Sequence, residues 1–294
     1  MTRSRLAPGA GIVTVPGDAP VLRTSDGEFL RIETGEVDGS ALTRRLTGRD
    51  QEPGTEPESP GLRRLVEAFE AEGHASSAPR GGPLAGRTVH VLGDAVLTGP
   101  VERYAAAEGA EVHRTTAGRV AELARSAGAP TDHHAVVWCL DSPVPEGLWD
   151  TADRLPARGT GWLRCHREGA HAWIEPLAAA PGDVTSRHVR LRRLAATPAH
   201  RELAAYWAGH RTPDTGPHPT AASAALIAAL LTAELIAWAS GEAGPGLPAR
   251  RRLRRVDLRD LTVTEHPVLP VPDVAPLPAP ARPGPRPTHA RAGA

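Results

Sequence analysis

The chain has 294 residues, 40% of them hydrophobic, and a formal net charge of zero, which suits one large or two small domains with a real core. A balanced charge supplies no overall pull toward nucleic acid or an anionic membrane surface. All 34 basic residues are arginine, so chemistry that needs a catalytic lysine is excluded.

Met1-Thr2-Arg3-Ser4-Arg5-Leu6 carries charge but no apolar stretch, and no signal peptide is expected. A first module is placed at residues 1–78. Val21–Thr24 and Glu28–Glu33 are expected to pair as a hairpin across Ser25-Asp26-Gly27, with Asp-Gly supplying the positive-φ turn and Leu30 and Ile32 alternating with Phe29, Arg31 and Glu33. Ser40–Leu46 reads as a short helix, and Gln51–Ser59 as an acidic, proline-containing mobile stretch. Ser59 as N-cap and Pro60 at the first helical position start an amphipathic helix with Leu62, Leu65, Val66 and Phe69 on one face, stopped by Gly73. A hairpin plus helices at this size is winged-helix-like. Ala75–Gly86 is a linker by composition.

A second module, residues 87–266, opens with the outline of a nucleotide-binding βαβ unit. Val89, Val91 and Leu92 give a strand, Gly93–Gly99 a loop, Val101–Glu108 a helix stopped by Gly109, and Ala110–Thr115 a second strand. A phosphate-cradling loop wants glycines that let the backbone approach the pyrophosphate and free N–H groups at the helix start. Here Ala95 and Thr98 occupy the second and third glycine positions, and Pro100, expected in the first helical turn, has no N–H. The second strand ends in His113-Arg114-Thr115-Thr116, without the acid that would hold a ribose. Nucleotide binding is not expected, and no cofactor is assigned.

Further elements are a helix at Val120–Ser126, a buried strand at His134–Leu140 and a helix at Glu146–Leu155. A hairpin joins Trp162–His166 to His171–Glu175 across Arg167-Glu168-Gly169-Ala170; helices at His200–Ala208 and Thr220–Ser240 follow, then a last strand at Leu253–Val263. Strands alternating with helices argue an α/β layer structure. Residues 267–294 are proline-rich and expected to form a disordered tail. The apolar run Ala221–Ser240 carries Glu234 near its middle, which argues against a membrane span, and a cytoplasmic location follows by elimination.

Several clusters invite chemistry. Cys139 and Cys165 fall in expected strands, where a buried thiol is the ordinary reading. Cys165, His166, Glu168 and His171 lie close enough in sequence for a metal site, but successive strand residues face opposite ways, and a polar hairpin tip is favoured. Arg250, Arg251, Arg252, Arg254 and Arg255, with Arg190, Arg192 and Arg193, could bind phosphate or an acidic peptide, or could line solvated element edges. Glu234 needs a partner if buried, and a structural arginine is favoured over catalysis. No nucleophile elbow, His-Glu-x-x-His or Walker lysine motif is present. Catalytic and metal residues are therefore not assigned.

The module order and several local phrases resemble the leader-peptide-binding component of azoline-forming peptide maturation systems, the thiazole/oxazole-modified microcin (TOMM) or ocin-ThiF-like proteins. The phrases are Leu30-Arg31-Ile32-Glu33-Thr34-Gly35 with Leu62–Phe69, Val89-His90-Val91-Leu92-Gly93, Trp173-Ile174-Glu175-Pro176-Leu177 before Pro181-Gly182, the alanine-rich helix Ala221–Gly241, and Val256-Asp257-Leu258. The resemblance implies an α/β protein in which a winged-helix-like peptide recognition module precedes a degenerate E1/ThiF-like Rossmann-type domain. It implies that the leader adds as a strand, with Phe29, Leu30, Arg31, Ile32 and Glu33 and the helix residues Leu62, Leu65, Val66 and Phe69 forming the groove. It further implies docking to a YcaO-type cyclodehydratase and leaves a homodimer open, while the balanced charge and Glu234 in the apolar run give no expectation of nucleic-acid or membrane contact. Relatives carry two cysteine pairs that bind zinc; here Ser186 and Val189 align with the first, and Pro272–Pro276 has no cysteine, so zinc is not expected. The alternatives are an active E1-like adenylating enzyme and a DNA-binding regulator. The second is disfavoured because Arg63 and Arg64 are balanced by Glu67, Glu70 and Glu72.

Overall fold

The computed structural model describes residues 4–15, 18–47, 59–76, 82–125, 133–213, 215–241 and 246–272. The chain divides into two units, Met1–Arg80 and Gly81–Ala294. The acidic stretch at 51–58 and most of the tail lie outside the described residues.

In the first unit, β1 (Arg5–Leu6), β2 (Gly11–Val13), β3 (Val21–Arg23) and β4 (Phe29–Arg31) precede α1 (Gly39–Thr47), α2 (Pro60–Ala71) and β5 (Ala75–Ser76). β2, β3 and β4 form an antiparallel meander, and β1 pairs with β5. The expected turn closes β3 to β4: Gly27 takes a φ of 93°, and its N–H donates to the Thr24 carbonyl at 3.1 Å. At the start of α2 the Ser59 side chain accepts from Leu62 N–H at 3.2 Å, and Pro60 occupies the first turn. The core comprises Leu22, Ile32, Leu42, Leu46, Val66, Phe69 and Ala75.

The second unit contains β6 (Thr88–Gly93), α3 (Ala95–Ala107), β7 (Glu111–Arg114), α4 (Ala117–Arg125), β8 (His134–Leu140), a 3₁₀ helix (Ala152–Arg158), β9 (Gly161–Glu168) and β10 (His171–Ile174). α5 (Ser186–Ala196), α6 (His200–Trp207), α7 (Ala221–Ser240), β11 (Arg252–Asp257) and β12 (Val263–Pro267) complete it. The sheet order is β12-β11-β10-β9-β8-β6-β7. β7, β6, β8 and β9 run parallel, and β10, β11 and β12 extend the sheet antiparallel. This is a mixed α/β, Rossmann-type arrangement. On one face Val89, Val91, Val137, Cys139, Leu163 and Cys165 pack with α3 and α7. On the other, Leu92, Val136, Trp138 and Trp162 pack with α4, Trp149 and Leu155. The helix α7 is long and apolar enough to cross a bilayer, yet here it contributes Ile227, Ala228, Leu231 and Leu235 to the core of the sheet.

Five sequence expectations are corrected. The expected loop Gly93–Gly99 is mostly helix, because α3 starts directly after Asp94, and Pro100 is in the helix interior. Glu146–Leu155 is not an α-helix: Gly147 adopts a φ of 76°, and the segment continues as turns into the 3₁₀ helix, with Pro156 inside it. Leu253–Val263 is two strands, since Leu258–Thr262 turns the chain back and β12 pairs with β11. The arginine-rich helix α5 has no counterpart among the elements expected from sequence. The expected tail also begins too early: Val268 is buried with Val184, Val189 and Leu253, and its N–H donates to the Arg251 carbonyl at 2.8 Å.

Candidate functional site

β4 is an outer strand, and among the described residues nothing pairs with its far side. The ladder decides which main-chain groups face that side. Thr24 N–H donates to the Glu28 carbonyl at 2.9 Å and Ile32 N–H to the Pro20 carbonyl at 3.3 Å, while Arg23 stands opposite Phe29 and Val21 opposite Arg31. Bonded and non-bonded pairs alternate in an antiparallel ladder, so Phe29 and Arg31 direct their N–H and C=O groups outward. Phe29 is 62% and Leu30 41% exposed, and Arg31 and Glu33 are exposed as well. The other groove candidates differ. Ile32, Val66 and Phe69 fill the unit's own core, and Leu62 and Leu65 pack half-buried against it.

In an open α/β sheet, ligands bind outside the carboxyl ends of the strands where the strand order reverses. Here that point lies between β6 and β8, and it is closed. A Cβ at Gly93 would overlap the Cys139 carbonyl oxygen, so the end of β6 lies directly on β8. Asp94 N–H donates to Cys139 O at 2.9 Å, and the Asp94 carboxylate accepts from Asp141 N–H at 2.6 Å. Buried Arg167 donates to the Asp141 carboxylate and, at 3.0 Å, to its carbonyl; His218 Nδ1 stands 3.1 Å from the same carboxylate. α3 starts directly after Asp94, and the charged groups at these strand ends are engaged with one another. A nucleotide does not fit this arrangement.

A second polar centre lies along β9, where Trp162, Arg164, His166 and Glu168 share a face by the two-residue strand period. Arg164 donates to Glu175 at 2.8 Å and to the carbonyls of Pro176 and Val184 at 2.9 and 3.1 Å. Glu168 accepts from Trp207 Nε1 at 2.6 Å, from Arg193 at 3.1 and 2.6 Å, and from His166 Nε2 at 3.2 Å. Burial by itself would raise the Glu168 carboxyl; the bond and charge of His166, and then those of Arg193, outweigh it and hold the group well below the usual carboxylate range. Arg193 also stacks on Trp173 and Trp207, 4.0 and 5.1 Å from the ring centroids. Asp153 receives Trp162 Nε1 at 2.9 Å, Ser186 Oγ at 2.7 Å and the N–H groups of Ser186 and Arg187 at 3.1 Å, which anchors the start of α5. Beside this network opens a cleft of about 1060 Å³, bordered by residues 144–154, His166, Glu168, Glu175, α5 and α6.

These positions overturn the hairpin-tip reading: His166 is 3% exposed, and Glu168 is a part-buried hub. The four supposed metal ligands do not converge. Cys165 faces the apolar side, and His171 lies 3.5 Å from Asp257. Among the described residues no group of three or more His, Cys, Asp or Glu side chains could hold a metal ion. The zinc positions do not fit zinc either, since the Ser186 hydroxyl is bonded to Asp153 and Val189 sits in an apolar cluster. Burial pushes both thiols up, Cys139 to about 12, so neither is a ready nucleophile. Most of the arginine cluster is used internally. Arg252 and Arg254 bond Glu234, and Arg192 donates to the Leu269 and Pro270 carbonyls at 3.1 and 3.0 Å.

No protein-family model matches the sequence, and no curated protein matches it either. Solved structures are similar in fold. A heterocyclase in complex with substrate and cofactor superposes with a TM-score of 0.66 at 12% identity, over 91% of this chain and 38% of that one. The heterocyclase TruD superposes with a TM-score of 0.63 at 13% identity, over 92% of this chain and 42% of that one. The chain is thus similar in fold to part of these heterocyclases, and it spans about two fifths of their length.

Proposed function

We propose that the protein is a non-catalytic scaffold of peptide natural-product biosynthesis. It binds the leader of a ribosomally made precursor through its first unit and presents that precursor to a YcaO-type cyclodehydratase in the cytoplasm for azoline formation. The observation that carries this reading is the outer edge of β4, where Phe29 and Arg31 offer outward main-chain groups beside exposed apolar side chains. An extended peptide adds to such an edge through main-chain bonds, and its apolar side chains set the register. Phe29, Leu30, Arg31 and Glu33 then contact the leader; half-buried Leu62 and Leu65 border the groove, while Ile32, Val66 and Phe69 support it from the core. Similarity to heterocyclases, over part of their length, supports the pathway. The closed crevice at Asp94, Asp141 and Arg167 argues against the adenylating alternative.

The test is leader binding by fluorescence anisotropy, using the labelled leader of a candidate ribosomal precursor peptide. The full chain binds it, and a truncation that keeps only residues 81–294 does not while remaining folded by circular dichroism. Undiminished binding by that truncation would remove the first unit from the mechanism.

A further inference from the structure

Many arginines of the second unit are matched by an acid. Arg114 is held by Glu102 and Arg119 by Glu122, both at 2.8 Å, and Arg259 by Asp257 at 2.6 Å. Three others depart from this pattern together. Arg125 in the last turn of α4 and Arg154 and Arg158 of the 3₁₀ helix border one depression of about 490 Å³, whose remaining walls are Ala124 and Ala157. Among the described residues none of the three guanidinium groups meets a carboxylate.

The depression is a product of packing. Val120 and Ala124 of α4 and Ala152 and Leu155 of the 3₁₀ helix lie in one apolar cluster, none of them more than 2% exposed, which fixes the end of α4 against the 3₁₀ helix. A cation at a helix C-terminus is favourable in itself, and Arg125 Nε donates to the Ala121 carbonyl at 3.0 Å. That contact leaves both Nη groups of Arg125 free to donate. It gives no reason for Arg154, which stands in the first turn of its helix, where the dipole favours an acid. The adjacent acid, Asp153, is turned to Trp162 and Ser186.

Three like charges around one depression repel one another. The chain has as many acidic as basic residues, 34 of each, and places none of the acids in this lining. A bound anion therefore supplies the missing charge. A guanidinium donates in parallel pairs to two oxygens of a carboxylate or a phosphate. One carboxylate has the oxygens and the charge for about one such fork. A phosphate group carries three acceptor oxygens and about −1.5 to −2 charges at neutral pH, which suits forks arriving from two elements. The space exceeds many times the roughly 30 Å³ share of a water in the liquid, so a hydrated phosphate or the small organic group bearing it also fits.

We propose that the depression between the end of α4 and the 3₁₀ helix is a binding site for a phosphate group, held by the guanidinium groups of Arg125, Arg154 and Arg158. The site is independent of the peptide-binding edge at β4 and of the scaffold reading.

The experiment is a titration of the full chain, labelled with nitrogen-15 in arginine, at low and matched ionic strength with inorganic phosphate, phenyl phosphate, chloride and tetraglutamate. Arg125→Lys, Arg154→Ala and Arg158→Ala identify the three Nε signals, and all three positions are exposed, so the variants fold. Phosphate shifts the three signals along one saturating curve. In Arg154→Ala the other two need about tenfold more phosphate, as loss of a charge-assisted bond implies. Arg201→Ala, exposed on α6, leaves the curve unchanged. Phenyl phosphate separates the two sources of the group: equal affinity assigns a phosphate ester, and a marked loss assigns the free ion. Shifts that do not saturate, or that chloride reproduces, would overturn the site in favour of charge screening alone. Tighter binding of tetraglutamate would overturn phosphate in favour of an acidic peptide.

Discussion

The two units treat their polar groups in opposite ways. In the first, the groups turned outward are main-chain N–H and C=O on β4, fixed in direction by the ladder whatever side chains the strand carries. In the second, charged side chains at the strand ends and between layers are turned inward, as in the Asp141–Arg167, Glu168–Arg193 and Glu234–Arg254 pairs. A main-chain edge can bind a peptide with few sequence requirements. A nucleotide crevice needs an open glycine loop and unpaired charge, and once ion pairs occupy it only the fold remains.

The largest effect that sharpens this contrast concerns cohesion in the second unit. Glu234 is 2% exposed on α7 and bonds Arg252 at 2.9 Å as well as Arg254. Glu234→Ala takes the buried acceptor from two guanidinium groups and leaves them only the more exposed Glu265, and breaking such a buried pair costs about 3–5 kcal/mol. All six tryptophans fall between residues 138 and 238, so tryptophan fluorescence during urea unfolding reads this unit alone. A loss under about 1 kcal/mol would show that packing, rather than the ion pair, holds α7.

The contrast is next tested on the other side. Arg31→Pro removes an outward donor from β4 without touching the bonds to β3, so the first unit stays folded by circular dichroism and leader affinity falls about tenfold or more. Arg31→Ala keeps the donor and changes affinity little. Unchanged binding by a folded Arg31→Pro protein would place the leader elsewhere. The second unit has the complementary test: calorimetry with Mg-ATP gives no binding heat, and purified protein carries no stoichiometric zinc. Micromolar ATP binding would mean that the Asp94, Asp141 and Arg167 contacts open in solution.

How much of this was readable from sequence follows from where the constraints act. Local signals were legible: Asp26-Gly27 set the β3–β4 turn, Ser59-Pro60 the start of α2, and β8 and α7 emerged within a residue of their observed bounds. The α3 start was misplaced because the glycine-rich pattern suggests a loop, whereas Gly93 serves a close approach to β8 that only tertiary structure reveals. The β9 polar row reads as a polar hairpin tip for a related reason. Its strict alternation looks like a strand with one wet face, and that face is dry because Trp149, α5 and α6 cover it. α5 itself has few apolar residues for periodicity to detect, and its anchoring by Asp153 is a long-range contact.

The smallest expected effect separates the two units by pH. His90 on β6 lies between His113 and His134, with ring centroids 5.7 and 5.4 Å away. Burial first, and then the charge of the neighbouring imidazoles, holds its protonation below the ordinary value of 6.5. The unfolded chain therefore takes up a proton there at a pH where the folded chain does not. The stability from a neutral His90 is present above about pH 6.5 and is lost progressively as pH falls below that value toward the folded one. Glu168 is shifted down from an ordinary value of 4.5 and acts in a lower window, so the interval from about pH 6.5 to 4.5 isolates the imidazole. By tryptophan fluorescence, the urea midpoint of the second unit declines from pH 7 to pH 5 in the wild type and less steeply in His90→Gln. An identical slope in the variant would assign the acid sensitivity to groups other than this stack.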